Sequence, residues 1–154
     1  MIVSRPNQST FVYVTFIRTT PERLWSSLTS PDFMKEYWFG MHIKTEWKVG
    51  APWQMLFADG RIADTGEIVE IEPPKRLVLE WRNEFRPELK AEGYARCVIE
   101  LEPVSDDAVK LTITHTMDRP DSKFIEAVSA GWPRLLSNLK SLLETGQIVL
   151  TGTH

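Results

Sequence analysis

Residues 131–146, GWPRLLSNLKSLLETG, decide how this chain folds. Projected at roughly 100° per residue, Trp132, Leu135, Leu136, Leu139, Leu142 and Leu143 fall within an arc of about 120°. That is the apolar side of an amphipathic helix. Phe124, Ile125 and Val128 continue the arc upstream, so the periodicity predicts one long helix from about Ser122 to Glu144, with Gly146 as its stop. Gly131 lets this helix pass close to whatever it packs on. Pro133 removes the bond to the carbonyl of Ser129 and predicts a bend there. The bend is expected to divide the helix into a Leu-rich half that packs as core and a half around Phe124 and Val128.

A helix this long with one apolar side needs a surface to cover, and the preceding sequence supplies a sheet. From Gly40 to Thr116 the hydrophobic period is two. The spans 42–47, 52–57, 61–72, 76–85, 94–103 and 108–116 read as strands, separated by VGAP, ADG, PPK, PELKAEG and SDD turns. Strands this closely spaced favour an antiparallel meander. Upstream, FVYVTFI (11–17) is a first strand, and residues 1–9 read as a loose polar tail. Thr20-Pro21 and Ser30-Pro31 each pair a capping residue with a proline suited to the first helical turn, predicting two short helices. The order is strand, two helices, six strands, one long helix: a seven-stranded α+β domain.

Length and composition bound the rest. The 154 residues fit one domain, 1–154, with a core from about 11 to 146. A net charge of -3 with interspersed signs gives no concentrated basic surface, which argues against a nucleic-acid partner. No apolar run nears the ~20 residues of a membrane span, and the N-terminus lacks a signal-peptide pattern. The lone Cys97 forms no internal disulfide. A soluble cytoplasmic protein is the expectation.

Four stretches carry a resemblance: TTPERLWSSLTSPDFMKEYW (19–38), VGAPW (49–53), GEIVEIEPPKRLVLEW (66–81) and GWPRLLSNLKSLLETG (131–146). They resemble the START-like, or SRPBCC, superfamily, and within it the branch named for the activator of the heat-shock protein 90 ATPase. The resemblance implies a helix-grip (birch-pollen-allergen-like) fold, in which a curved antiparallel sheet wraps a long C-terminal helix over a cavity. One departure is visible: where that family has two glycines before the third strand, this chain has Gly50 and then Ala51. The resemblance says less about function, because the superfamily includes ligand carriers, aromatic cyclases and partner-binding domains.

Strand parity nominates the residues that face the cavity. Trp53, Met55 and Phe57 align on one strand, Leu77, Leu79 and Trp81 on another, and Ala95, Cys97 and Ile99 on a third. Leu111, Ile113 and His115 align on the last. Six tryptophans is a generous number for this length, and each indole N–H needs a partner once buried. The candidate ligand-binding set is Trp38, Trp53, Met55, Phe57, Trp81, Cys97, His115, Phe124, Val128 and Trp132. His115 is the polar member of its row, either bonded to a backbone carbonyl in the interior or offered to a ligand as donor, acceptor or base.

Other chemistries lack support. Three histidines and one cysteine show no zinc-like spacing, no Gly-rich loop opens a helix, and no nucleophile elbow is present. No metal, cofactor or catalytic residue is therefore assigned. The expected function is binding of a small hydrophobic or aromatic molecule beneath the long helix. The alternatives are a cyclase- or hydrolase-type enzyme using His115, or a chaperone co-activator-like interaction domain. A homodimer stays open.

Overall fold

The computed structural model describes residues 2–151. Its framework is one antiparallel sheet of eight strands: β1 (Ile2–Arg5), β2 (Gln8–Ile17), β3 (His42–Lys44), β4 (Pro52–Leu56), β5 (Ile62–Glu72), β6 (Arg76–Asn83), β7 (Ala95–Ser105) and β8 (Ala108–Met117). Their spatial order is β1-β2-β8-β7-β6-β5-β4-β3. The meander from β3 to β8 is thus closed on one side by the N-terminal hairpin. Helices α1 (Pro21–Thr29) and α2 (Pro31–Tyr37) bridge β2 and β3, α3 (Pro87–Lys90) follows β6, and α4 (Lys123–Thr145) ends the fold. Register irregularities at Met55/Leu56, Ile68/Glu70 and Pro103/Ser105 bend the strands that carry them. The α+β helix-grip architecture is present.

Several boundaries differ from the sequence reading. Residues 2–5 are not a tail: Ile2 pairs with Phe11 and Arg5 with Gln8, which makes eight strands instead of seven. All four residues of β1 are exposed, so no buried period marked them as a strand. The strand expected over 42–47 ends at Lys44, and Trp47 adopts a left-handed φ of 52°. The strand expected to reach residue 85 ends at Asn83, whose Oδ1 accepts the backbone N–H groups of Phe85 and Arg86 and starts the turn into α3. Thr20 caps α1 by accepting from the Arg23 amide at 3.2 Å, whereas Ser30 holds the cap position of α2 without a side-chain bond. Ala51 stands without strain where a glycine was anticipated: the left-handed residue is Gly50 (φ 85°), and Ala51 is buried with its carbonyl bonded to the Ile68 amide.

Helix α4 matches its predicted span closely and runs unbroken through Pro133. Ser122 caps it by accepting from the Ile125 amide at 3.1 Å. The Glu92 carboxylate accepts from the Ser122 hydroxyl and from the Lys123 amide, placing negative charge at the helix N-terminus where the macrodipole favours it. Gly146 ends the helix in the left-handed conformation, φ 84°. The helix packs on β2 and β8 and also touches β1, α2 and α3. Leu136, Leu139 and Leu143 are buried in the common core.

Candidate functional site

The inner face of the sheet is shaped by an absent side chain. Gly66 stands in register between Trp53 on β4 and Trp81 on β6. A Cβ at this position would lie 1.7 Å from the Glu80 carbonyl oxygen and 2.6 Å from Trp53 Nε1. The gap lets the Trp53 indole cross β5 and donate to the Glu80 carbonyl at 3.0 Å. It also brings the Trp53 ring edge-on to Trp81, with centroids 4.8 Å apart.

Trp81 is one corner of a triangle of indoles drawn from distant parts of the chain. Its ring lies 6.4 Å from Trp38, which follows α2, and 5.8 Å from Trp132 on α4. Trp38 and Trp132 are 5.6 Å apart. Beside this triangle lies a cavity of about 210 Å³ between sheet and helix. Phe57, Asp64, Trp81 and Asn83 line it from the sheet side. Phe124, Ala127, Val128, Gly131, Trp132 and Leu135 line it from α4. Trp38, Phe39 and Met41 after α2, and Phe85, Arg86 and Leu89 around α3, complete the lining. Along α4 the cavity-lining residues end at Leu135, just past Pro133; Phe124, Trp132 and Leu135 also belong to the same core cluster as Leu136, Leu139 and Leu143.

Six of the ten nominated residues line this cavity: Trp38, Phe57, Trp81, Phe124, Val128 and Trp132. The other four face inward but sit one layer behind it. Trp53 is held under Trp81 by its bond to Glu80. Met55 is fully buried beside Ile43. Cys97 is buried between Leu79 and His115 in the register, and burial pushes its thiol pKa up, so it stays protonated.

His115 is walled off by Phe124, Trp81 and Trp132, whose ring centroids lie 5.1, 5.4 and 6.3 Å away. Its Nδ1 accepts from the Trp132 indole at 3.2 Å, which places the ring proton on Nε2. That Nε2 is buried without a partner, and burial drives the His115 pKa down to about 3. The ring is neutral and orients Trp132, in place of the backbone-carbonyl bond that the interior reading expected.

Sequence reasoning missed the polar lining. Asp64 and Asn83 are paired across β5 and β6 and are 8% and 7% exposed. Both were open to the same parity argument, since Asp64 alternates with Gly66 and Ile68, and Asn83 with Trp81 and Leu79. Burial pushes the Asp64 carboxyl up to about 7, against hydrogen bonds from the side chains of Trp81 and Asn83 that lower it. Phe39, Met41 and Leu89 come from segments without a strand period. Phe39 holds a left-handed φ of 53°, which non-glycine residues seldom adopt. Among the described residues no group of three or more His, Cys, Asp or Glu is placed to hold a metal. No helix there is long and apolar enough to cross a membrane.

A long helix gripped by a curved antiparallel sheet, with an aromatic cavity between them, defines a START-like domain. The chain belongs to the family described as activator of Hsp90 ATPase homolog 1-like protein, whose model matches residues 18–144. No curated protein matches it. Among solved structures it is similar to a Mesorhizobium loti protein, with a TM-score of 0.74 at 23% identity over 90% of this chain and 99% of the other. It is similar also to an HSP90 activator from Plasmodium falciparum, with a TM-score of 0.71 at 23% identity over 87% and 95%. The Aha1 dimer of Colwellia psychrerythraea gives a TM-score of 0.70 at 20% identity over 89% and 97%. At these identities the likeness establishes the fold alone.

Proposed function

We propose that this domain binds a small hydrophobic or aromatic molecule in the cavity between the sheet and α4. The observation that carries this reading is the lining itself, dominated by indole and phenyl rings with Asp64, Asn83 and Arg86 as its few polar members. Small-molecule sites are generally built this way: apolar walls with a few placed polar groups. The size suits a single ring with a short substituent, since an apolar cavity of about 150 Å³ takes benzene. Binding is favoured over turnover by the state of His115. Its ring lies behind the cavity wall, its Nδ1 is engaged by Trp132, and its basicity is suppressed by burial.

Titration with toluene, read by the emission of the cavity tryptophans, tests the proposal. Wild type should show saturable quenching. Val128→Trp, which fills the cavity from α4, should abolish it. Absence of saturable binding in wild type, or equal binding in Val128→Trp, would overturn the reading.

A further inference from the structure

The one acid in the cavity wall is Asp64, and an apolar ligand alone gives no reason for it. Burying a carboxyl among rings is unfavourable unless something engages it. Both side chains that hydrogen-bond Asp64, the Trp81 indole and the Asn83 amide, donate to it and so favour its charged form. Burial outweighs these two bonds and keeps the carboxyl largely protonated up to about 7, so its ionised form gains from a bound positive charge.

The charges nearby leave that acceptor without a cation. Glu84 acts on Asp64 as a like charge and is itself engaged by Arg82, Lys90 and the Thr65 hydroxyl. Arg86, the cation in the cavity wall, is bonded to Glu88 at 2.9 Å, and both are about half exposed. Helix α4 contributes only uncharged residues to the lining, as do the residues after α2. No ion pair reaches Asp64 among the described residues. The rings add a second preference of the same sign, because aromatic faces attract cations and tryptophan does so most strongly.

We infer that the cavity selects an organic cation: an amine or ammonium group set against Asp64, its apolar body held among Trp38, Trp81 and Trp132. This rests on the ligand-binding reading above and adds a charge to it. A bound cation would favour the ionised carboxyl, so cation affinity should rise with pH through the Asp64 transition. Burial lowers the pKa of His42 below the ordinary 6.5 and takes His115 down to about 3, so His115 stays neutral across that window.

A matched pair of probes separates charge from shape. Benzyltrimethylammonium is a permanent cation, and neopentylbenzene has the same outline without charge. At about pH 8 the cation should bind wild type at least about tenfold more tightly than the neutral probe. The preference should collapse in Asp64→Asn, and in wild type at about pH 6, below the transition near 7. The pH comparison in wild type decides the matter even if the variant folds poorly. Equal or tighter binding of neopentylbenzene at about pH 8 would overturn the cation inference and leave the hydrophobic cavity standing. Failure of both probes and of toluene would instead remove the binding reading, and the inference with it.

Discussion

The Trp132 indole donates to His115 Nδ1 at 3.2 Å, tying the middle of α4 to the last strand through two fully buried rings. The bond does two things at once. It satisfies an indole N–H that burial would otherwise leave unpaired, and it fixes the histidine as the Nε2–H tautomer. Helix and sheet are thereby set in one register beside the cavity.

Trp132→Phe keeps an aromatic ring at the position but removes the donor and part of the buried indole, leaving both His115 nitrogens without a partner. A loss of about 1–3 kcal/mol is expected, read by urea denaturation at neutral pH. His115→Gln tests the proton side. The folded state holds His115 near 3 against 6.5 for the free side chain, so the unfolded chain takes up the proton first. Stability from the neutral ring is complete above about 6.5 and is lost progressively as pH falls toward 3. The variant has no such proton to bind. Its stability relative to wild type should therefore improve as the solution is acidified, by roughly 2 kcal/mol over the first two units. Parallel stability curves for the two proteins would show that His115 does not titrate in this way.

Gly66 makes a sharper case. An added Cβ meets backbone oxygen at 1.7 Å, and a carbonyl in the middle of a sheet has nowhere to retreat. Gly66→Ala must part β5 from β6 or expel Trp53 from its bond to Glu80. We expect a loss of at least about 3 kcal/mol, within the range of severe overpacking in a core. The near-ultraviolet dichroism of the Trp53–Trp81 pair should change with it. A variant with wild-type stability would mean that the strands are less closely joined than this geometry requires.

Which features the sequence revealed follows from which had a period. Helix α4 was legible because its apolar residues recur through six turns, and β6 and β8 because Leu77, Leu79, Trp81 and Leu111, Ile113, His115 alternate cleanly. Strand β1 was not legible, because it is an exposed edge of four residues held by backbone pairing to β2. Of the rings that line the cavity, Phe57 and Trp81 are legible through strand parity, and Phe124 and Trp132 through the helical arc. Parity distinguishes two faces of a sheet but not two layers on one face, so Trp53, Met55, Cys97 and His115 were placed at the cavity instead of behind it. Asp64 escaped notice for a different reason. A carboxylate on a strand reads as solvent-facing until the fold shows α4 above it.

Asp64 should leave a stability signature opposite in sign to that of His115. Its folded value near 7 lies above the ordinary 3.8, so the folded state prefers the protonated carboxyl. The associated stability is complete below about 3.8 and is lost as pH rises through about 7. Asp64→Asn carries a neutral group of the same shape at every pH. Its stability relative to wild type should rise across that window by roughly 2–4 kcal/mol and level off above it. Urea midpoints of the two proteins across the window check this. A difference that stays constant with pH would show that Asp64 ionises as freely as an exposed carboxylate.

The proline inside α4 is the last point at which local chemistry and function meet. Pro133 has no amide to give Ser129, yet the helix continues through it, held by Trp132 on one side and the buried leucines on the other. An interior proline costs about 3 kcal/mol relative to alanine, and packing recovers only part of that. Pro133→Ala should therefore stabilise the domain by about 1–3 kcal/mol, with a higher Tm in thermal unfolding. Pro133 thus stands in α4 at a cost in stability. It lies just before Leu135, where the cavity lining of α4 ends, so the alanine variant should restrict movement of the first half over the cavity. Slower association and dissociation of toluene, with an affinity changed less than either rate, is the expected result in stopped-flow fluorescence. Stabilisation with unaltered rates would make Pro133 a tolerated flaw in the helix, with no part in opening the cavity.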